Sequence, residues 1–240
     1  MPLRIDFARF EYTPDVHHPT VHSMLSQAVE DYLKAIYKLH DGAAVTTTEL
    51  ARHLSVSSAS VTNMMGRLAT MKLVTYARYK GVRLTPAGEK IALEIIRHHR
   101  LLETYLREVM GYGWQQMHDE AEHLEHHISE EFEARIDELL GYPTHDPHGD
   151  PIPTRDGRMT ELVADPLTTF SPGDHVEIRR LVDTDVDMLH LIEDLGLLPG
   201  TTCRVMSAHP VDGMTVRIND VDVALSDAMG RHIFAEATTP

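Results

Sequence analysis

Histidines and acidic residues crowd into the segment 118–127, "HDEAEHLEHH", which holds four of each within ten positions. If the segment is helical, His118, Glu122, Glu125 and His126 project from roughly a quarter of the helix circumference. Imidazole nitrogens and carboxylate oxygens are ligands that first-row divalent metal ions accept. The spacing therefore predicts one half of a metal site, while an acidic, solvated helix face with incidental histidines is an equally good explanation of this segment alone.

Composition favours a folded protein of the cytoplasm. The 240 residues are 42% hydrophobic, which gives room for one large domain or two to three small ones with real cores. No apolar run reaches the roughly 18 residues that a membrane-spanning helix needs, and the N-terminus lacks the pattern of a secretion signal. The single cysteine, Cys203, permits no internal disulfide. We therefore expect a cytoplasmic protein with no membrane partner.

Charge is segregated along the chain. The formal net charge of −15 argues against nucleic acid as a ligand, because contacts to phosphate dominate DNA affinity. Between Ala51 and Gly88, however, there are six basic residues and no acidic one, whereas positions 119–138 hold nine acidic residues and one basic residue. This distribution indicates a basic region and an acidic region with separate tasks.

The basic region has the pattern of a winged helix-turn-helix. A short helix capped by Thr46 or Thr47, a tight turn at 55–57 and a second helix from about Ser58 to Met71 indicate the helix pair. Two alternating segments around Gly81 follow as a β-hairpin, the wing, which would lie along the DNA backbone. The candidate DNA-binding residues are Ser57, Ser58, Ala59, Ser60, Thr62, Asn63, Arg67, Arg78, Lys80 and Arg83.

The acidic region predicts two long, pairing helices, from Pro86 to about Val109 and from about Gln115 to Leu140. The second would bury the apolar stripe Ala121, Leu124, Ile128, Phe132, Ile136 and Leu139 beside the metal-binding face. Residues 167–237 then alternate in short segments, which predicts a small β-barrel with one short helix that ends at Gly196. The expected fold is mainly α-helical with a β C-terminal domain.

This order of elements resembles the diphtheria toxin repressor family of metal-dependent transcriptional regulators, over roughly residues 24–237. The motifs that carry the resemblance are "EDYLKAIYKL", "SSASVTNMMGRLATMKLV", "VRLTPAG", "RHHRLLETYL", "HDEAEHLEHHIS" and "GDPIPTRDG". It implies an N-terminal extension (1–23), a winged helix-turn-helix domain (24–95), a helical metal-binding and dimerisation domain (96–160) and an SH3-like, FeoA-like β-barrel (161–240).

The resemblance also implies two metal sites. The primary site falls on Asp31, Glu122, Glu125 and His126, and the ancillary site falls on His99, Glu103 and His118. In relatives with a barrel, that domain can lend ligands to the ancillary metal, and of the two nearest positions here, Arg180 and Asp183, only Asp183 is a plausible donor. We expect the remaining nearby histidines, namely His98, His123 and His127, to lie on the surface.

The departures from the family pattern bear on which metal is bound. Iron-type members place a thioether and a thiol where this chain has Asp31 and Glu122, so the harder carboxylate pair favours Mn²⁺ over Fe²⁺. Co²⁺ is a further alternative, and Zn²⁺ or Cd²⁺ could bind in vitro. Short manganese regulators without a barrel carry a glutamate at the position of Lys34, and a cation there should repel a second metal ion.

The function implied is that of a homodimeric, manganese-dependent regulator, most plausibly a repressor of metal uptake genes, that binds palindromic operator DNA when metal fixes its two recognition helices. An iron-dependent regulator of the same family is the first alternative, and a metal-independent winged-helix repressor is another. A di-metal carboxylate enzyme is disfavoured, because that design needs two Glu-x-x-His pairs and only Glu120 with His123 fits near the cluster. We therefore expect no enzymatic activity.

Overall fold

The computed structural model describes residues 25–77, 80–209 and 213–238. The chain forms two compact units. Unit 1 comprises the described residues up to Leu102 together with Ala121–Tyr142 and Pro153–Met159, and unit 2 comprises Glu103–Glu120, Pro143–Ile152 and the residues from Thr160 onward. The predicted N-terminal extension (1–23) and Arg78 lie outside the described residues. Within the described ranges, no helix is long and apolar enough to cross a membrane.

The N-terminal part of unit 1 is the predicted winged helix-turn-helix. Its elements are α1 (Gln27–Leu39), α2 (Thr47–His53), α3 (Ser58–Thr70), β1 (Val74–Ala77) and β2 (Gly81–Leu84). A capping box fixes the start of α2, because the Thr46 side chain accepts from the backbone N–H of Glu49 while the Glu49 side chain accepts from that of Thr46. Strands β1 and β2 are antiparallel, and Val45 exchanges two backbone hydrogen bonds with Val82. Buried residues of α1, α2 and α3, including Leu33, Leu50 and Leu68, share one core with the hairpin.

The helices that follow the wing are α4 (Pro86–Glu108), α5 (Trp114–Leu124) and α6 (Glu130–Leu139). The predicted single helix from Gln115 to Leu140 is therefore wrong, because turn residues and a short extended stretch separate α5 from α6. Ser129 accounts for the break: its side chain accepts from the backbone N–H of Phe132 and so begins a new helix. Three acidic residues in the first turn of α6 further stabilise that N-terminus. The predicted apolar stripe is interrupted as well, since Phe132 is 47% exposed.

Unit 2 contains one antiparallel sheet of six strands in the order β3-β8-β4-β5-β6-β7. The strands are β3 (Asp165–Pro166), β4 (His175–Leu181), β5 (Thr202–His209), β6 (Gly213–Ile218), β7 (Val221–Leu225) and β8 (Ile233–Ala237). The predicted short helix is α7 (Val186–Asp194), and Gly196 follows it with φ of +75°, as a helix-ending glycine requires. The last segment departs from the predicted alternation, because Ser226 caps an additional helix, α8 (Asp227–His232), between β7 and β8. The expectation of a mainly helical chain with a β C-terminal domain is confirmed.

Candidate metal centre

The centre of the candidate site is a group of carboxylates around a buried lysine in unit 1. Lys34 on α1 lies with its Nζ 2.7 Å from Oε1 of Glu122 and 2.9 and 2.7 Å from the two carboxylate oxygens of Glu125. Nδ1 of His99, on α4, lies 3.4 Å from the same Nζ and 2.6 Å from Oε2 of Glu125. Three segments that are distant in sequence therefore meet at one ammonium group.

A histidine occupies the adjacent part of this cluster. Nε2 of His126 lies 2.9 Å from Oδ1 of Asp31 and 3.3 Å from Oε1 of Glu125. Its other ring nitrogen, Nδ1, lies 2.6 Å from Oε2 of Glu30, a buried carboxylate. When Nδ1 donates its proton to Glu30, the lone pair of Nε2 points towards Asp31 and Glu125, which is the arrangement that orients metal-binding histidines.

Sequence reasoning missed Glu30. Its position in α1 could have indicated a role, because Glu30 lies beside Val29 and Leu33 on the buried face of the helix. A buried carboxylate without a partner is costly, so a partner such as His126 should have been expected.

The break between α5 and α6 determines how these donors are presented. Glu122 lies in the last turn of α5, whereas Glu125 and His126 lie in the turn that follows. The prediction that all four histidine and carboxylate donors project from one continuous helix is therefore wrong. It is the turn after α5, and not the helix itself, that places Glu125 and His126 next to α1. The Glu125 side chain is fully buried, whereas that of Glu122 is 41% exposed.

Electrostatics hold this cluster in a charged form. Burial raises the pKa of Glu122, but the charges of Lys34 and His99 outweigh it and lower that pKa to about 2. Burial lowers the pKa of His126, but its close contacts with the carboxylates of Asp31 and Glu30 outweigh burial and raise the pKa to about 9. The carboxylates of this cluster are thus matched by neighbouring cationic side chains.

The proposed ancillary residues divide between the two units. His99 belongs to unit 1, where it contacts Glu125, while Glu103 and His118 belong to unit 2 and hydrogen-bond through Nδ1 and Oε1 at 3.0 Å. Glu103 also lies near His148, whose Nδ1 is 3.7 Å from its Oε2.

His148 belongs to a second buried group in unit 2, which sequence reasoning did not single out. Glu103, Asp146 and His148 present ligand atoms within 4.8 Å of one another. Burial lowers the pKa of His148, but Asp146, Glu103 and Asp183 together raise it, so Asp183 contributes to the electrostatics of this group. Oδ1 of Asp146 accepts hydrogen bonds from the backbone N–H groups of His148 and Asp150, and these bonds order the "HDPHGD" loop.

The three histidines expected on the surface separate into two kinds. His123 and His127 are exposed, in agreement with the prediction. His98 is buried, and the prediction for it is wrong: its Nδ1 lies 3.0 Å from the backbone oxygen of Glu125 and its Nε2 lies 3.2 Å from Oε2 of Glu133. The reason is the packing of α6 against α4, which no local sequence pattern reveals.

The described candidate DNA-binding residues are all exposed: Ser57, Ser58, Ala59, Ser60, Thr62, Asn63, Arg67, Lys80 and Arg83. Ser57 also has a local task, because its side chain accepts from the backbone N–H of Ser60 and caps α3. The guanidinium of Arg83 donates to the backbone oxygen of Gly42 at 2.9 Å, which ties the wing to the loop after α1. The surface around α3 therefore combines small polar side chains with cations.

The donor chemistry of the cluster fits a divalent metal ion. Asp31, Glu125 and His126 present ligand atoms within 4.8 Å of one another, and so do His99, Glu122 and Glu125. Carboxylate oxygens with one or two imidazoles suit Mn²⁺, Fe²⁺ and neighbouring ions. A winged helix-turn-helix whose first helix shares such a cluster with a later segment defines a class of protein, a DNA-binding regulator that responds to metal.

Comparison with known proteins identifies the family. Residues 15–82 match the model of the iron dependent repressor N-terminal DNA binding domain, 85–154 match the iron dependent repressor metal binding and dimerisation domain, and 166–237 match the FeoA domain. The iron-dependent repressor IdeR of Mycobacterium tuberculosis is 31% identical over 211 residues, which cover 81% of this chain and 90% of the relative. The diphtheria toxin repressor of Corynebacterium efficiens is 34% identical over 214 residues, 82% of this chain and 92% of the relative.

A solved structure described as a manganese-dependent transcriptional repressor in complex with manganese superimposes with a TM-score of 0.80 at 35% identity, covering 88% of this chain and 100% of that one. The chain belongs to the iron-dependent repressor family, which includes the diphtheria toxin repressor. It is a metal-dependent transcriptional repressor and not an enzyme, with one domain for DNA and one for metal binding and dimerisation.

Proposed function

We propose that the protein is a homodimeric repressor of metal uptake genes that Mn²⁺ activates for binding to palindromic operator DNA. The observation that carries this proposal is that Asp31 on α1, inside the winged helix-turn-helix, lies 2.9 Å from His126 and presents a ligand atom within 4.8 Å of those of Glu125 and His126, which follow α5. A metal ion held by these residues would link the DNA-reading part to the dimerisation part. Because operator DNA is the ligand, we expect the protein to act in the cytoplasm.

The proposed primary ligands are Asp31, Glu122, Glu125 and His126, and the proposed ancillary ligands are His99, Glu103, His118 and Asp183. Manganese is favoured by the carboxylates at Asp31 and Glu122, because Mn²⁺ prefers hard oxygen donors to sulfur. The close structural relative described as a manganese complex agrees with this preference. Bound metal would supply a multivalent positive charge, and the role of these residues is to hold α1 at a fixed distance from the turn after α5.

Iron is the second candidate effector, because sequence relatives of this chain include the iron-dependent repressor IdeR of Mycobacterium tuberculosis. Both ions accept imidazole and carboxylate ligands, and affinity alone rises from Mn²⁺ to Fe²⁺. The two candidates therefore differ in the metal concentration at which repression begins and share the same mechanism.

On the DNA side, we propose that the small polar residues at the start of α3 enter the major groove while cations of the wing contact phosphate. The set is Ser57, Ser58, Ala59, Ser60, Thr62, Asn63, Arg67, Arg78, Lys80 and Arg83. The exposure of its described members supports this assignment. In a twofold dimer, two copies of α3 would read the two halves of a palindrome.

The test is a DNA-binding titration on a genomic fragment selected by the protein itself. Fluorescence anisotropy would be followed against free Mn²⁺, Fe²⁺ under anaerobic conditions, Co²⁺ and Zn²⁺, with a chelator as the metal-free control. We expect binding only with metal, and activation by Mn²⁺ at a free concentration no higher than that of Fe²⁺. Equal DNA binding with metal and with chelator would contradict the proposal. Activation by Fe²⁺ at a clearly lower free concentration than Mn²⁺ would favour the iron-dependent regulator.

A further inference from the structure

The cluster in unit 1 contains two adjacent groups of donors that share Glu125. One group is Asp31, Glu125 and His126, and the other is His99, Glu122 and Glu125. Each has the composition of a cation site, with two carboxylates and one imidazole. Two cation positions therefore lie side by side in the same small volume.

A side chain of the protein already occupies the second position. The Lys34 ammonium has three N–H donors, and it lies within 2.9 Å of one oxygen of Glu122 and both oxygens of Glu125. The third member of that donor group, His99, is 3.4 Å away through Nδ1. The Lys34 side chain is only 7% exposed, so this is a buried cation with its counter-charges and differs in kind from a solvated surface pair.

We propose that Lys34 is a built-in cation that fills the second position, so that this cluster takes a single divalent metal ion, held by the proposed primary ligands Asp31, Glu122, Glu125 and His126. The inference rests on the proposed function, because it concerns the same metal centre. Charge supports it: the Lys34 ammonium lies among the carboxylate oxygens that a second divalent ion would need, so that ion would be placed beside a fixed positive charge.

Lys34 has a second consequence in the absence of metal. Because it lies on α1 and its partners lie at and after the end of α5, its ammonium joins the same two segments that the metal would join. Removing its charge would leave the fully buried Glu125 with less compensation, which is costly for a carboxylate. The metal-free protein should therefore depend on Lys34 for stability, a property that can be measured without any metal.

The test compares Lys34→Glu with Lys38→Glu in the full-length protein. Lys38 lies one turn further along α1 and is exposed. The two variants therefore make the same change of charge, Lys34→Glu within the cluster and Lys38→Glu outside it. Bound Mn²⁺ per chain would be counted by equilibrium dialysis, and electron paramagnetic resonance would detect spin coupling between neighbouring Mn²⁺ ions. We expect Lys34→Glu to bind one more ion per chain than the unmodified protein and to gain a coupled-pair signal, while Lys38→Glu changes neither.

A second variant decides the question if Lys34→Glu does not fold. Lys34→Gln removes the charge without adding a ligand, so it should raise Mn²⁺ affinity by roughly tenfold or more, because a like charge beside the ion is gone. The same variant should lower the melting temperature of the metal-free protein. Unchanged or weaker Mn²⁺ binding by Lys34→Gln would overturn the inference, as would a coupled pair already present in the unmodified protein.

Failure of this inference is distinguishable from failure of the proposed function. His126→Ala serves for this purpose, because it removes a proposed ligand of the single metal and leaves Lys34 in place. If His126→Ala lowers the Mn²⁺ count but Lys34→Glu does not raise it, only the role of Lys34 is wrong. If His126→Ala leaves both the Mn²⁺ count and metal-activated DNA binding unchanged, the proposed metal centre itself is wrong.

Discussion

Neighbouring histidines of α4, His98 and His99, enter two different clusters of buried charge. In the cluster of His98, Arg97 donates through Nε to Glu133 at 2.6 Å, through one terminal nitrogen to Asp137 at 2.5 Å and through the other to the backbone oxygen of Pro153 at 2.9 Å. His98 approaches the second oxygen of Glu133 at 3.2 Å. The planar guanidinium thus holds each partner in one direction.

In the cluster of His99, the negative charge of the carboxylates is compensated by the ammonium of Lys34 and not by a guanidinium. This difference distinguishes a cluster suited to stability from one suited to metal binding. An ammonium is a compact point charge that imposes little direction on the carboxylates around it, so the same carboxylates can also serve a metal ion. Access differs too: Glu122 is 41% exposed, whereas the Glu133 side chain is 4% exposed. We therefore propose that the Arg97 cluster serves stability and that the Lys34 cluster serves metal binding.

The largest effect that would sharpen this contrast is expected from His126→Ala. Mutating a residue that only hydrogen-bonds a metal ligand typically lowers metal affinity by roughly 10- to 100-fold. His126→Ala removes a proposed ligand itself, so the loss of Mn²⁺ affinity should be larger than this, and metal-activated DNA binding should disappear. The control is His127→Ala, since His127 is the adjacent residue and is exposed. Calorimetric Mn²⁺ titration and anisotropy on operator DNA would measure both; equal effects of the two variants would contradict the assignment.

A second prediction concerns metal selectivity within the Lys34 cluster. Replacing Asp31 with Met and Glu122 with Cys would create the softer donor pair, whose thiol must lose a proton before it binds metal. We expect this double variant to lose activation by Mn²⁺ while it keeps or gains activation by Fe²⁺ or Co²⁺ in anaerobic, reducing buffer. Parallel shifts of the Mn²⁺ and Fe²⁺ activation curves would show that these two carboxylates do not set selectivity.

The sequence predicted those features of the fold and of the candidate site that depend on residues close together in the chain. Gly196 marks a helix end through its backbone and was predicted correctly, while the cap of α2 was narrowed to Thr46 or Thr47 and the structure assigns it to Thr46. Ser129 carried an equally local capping signal, but the apolar spacing around it suggested a continuous helix and hid the break. Local reading also gave a winged helix-turn-helix in the right place.

The two charge clusters were beyond local reading. Lys34 and Glu122 are 88 residues apart, so a sequence pattern gives the charge of each but not their contact. The charge of Lys34 alone led to the expectation that it opposes a second metal ion, which stays a prediction, while its position among the carboxylates appeared only in three dimensions. For His98 and His99 the family resemblance singled out only His99 as a ligand, whereas the burial of His98 against Glu133 follows from the packing of α6 on α4, which no local pattern shows.

The smallest functional effect, and the clearest structural one, is expected from Glu133→Gln in the Arg97 cluster. Burial raises the pKa of Glu133, but its hydrogen bonds with His98 and Arg97 outweigh burial and lower the pKa to about 2. A buried ion pair that loses one partner typically costs roughly 3–5 kcal/mol of unfolding free energy. Denaturant unfolding of the metal-free protein should show this loss at neutral pH, while Mn²⁺ affinity of the folded variant stays within about a factor of two.

The pH dependence of that loss tests its electrostatic origin. Because the folded pKa of Glu133 lies below its ordinary value of 4.5, its contribution to stability is fully present above that value and is lost as pH falls towards about 2. The difference in unfolding free energy between the original protein and Glu133→Gln should therefore be constant from neutral pH down to about pH 5 and shrink below it. Glu131→Gln, an exposed change on the same helix, should show no such trend. A difference that persists undiminished at pH 3 would mean that the charge of Glu133 is not the source of its contribution to stability, and would contradict the prediction.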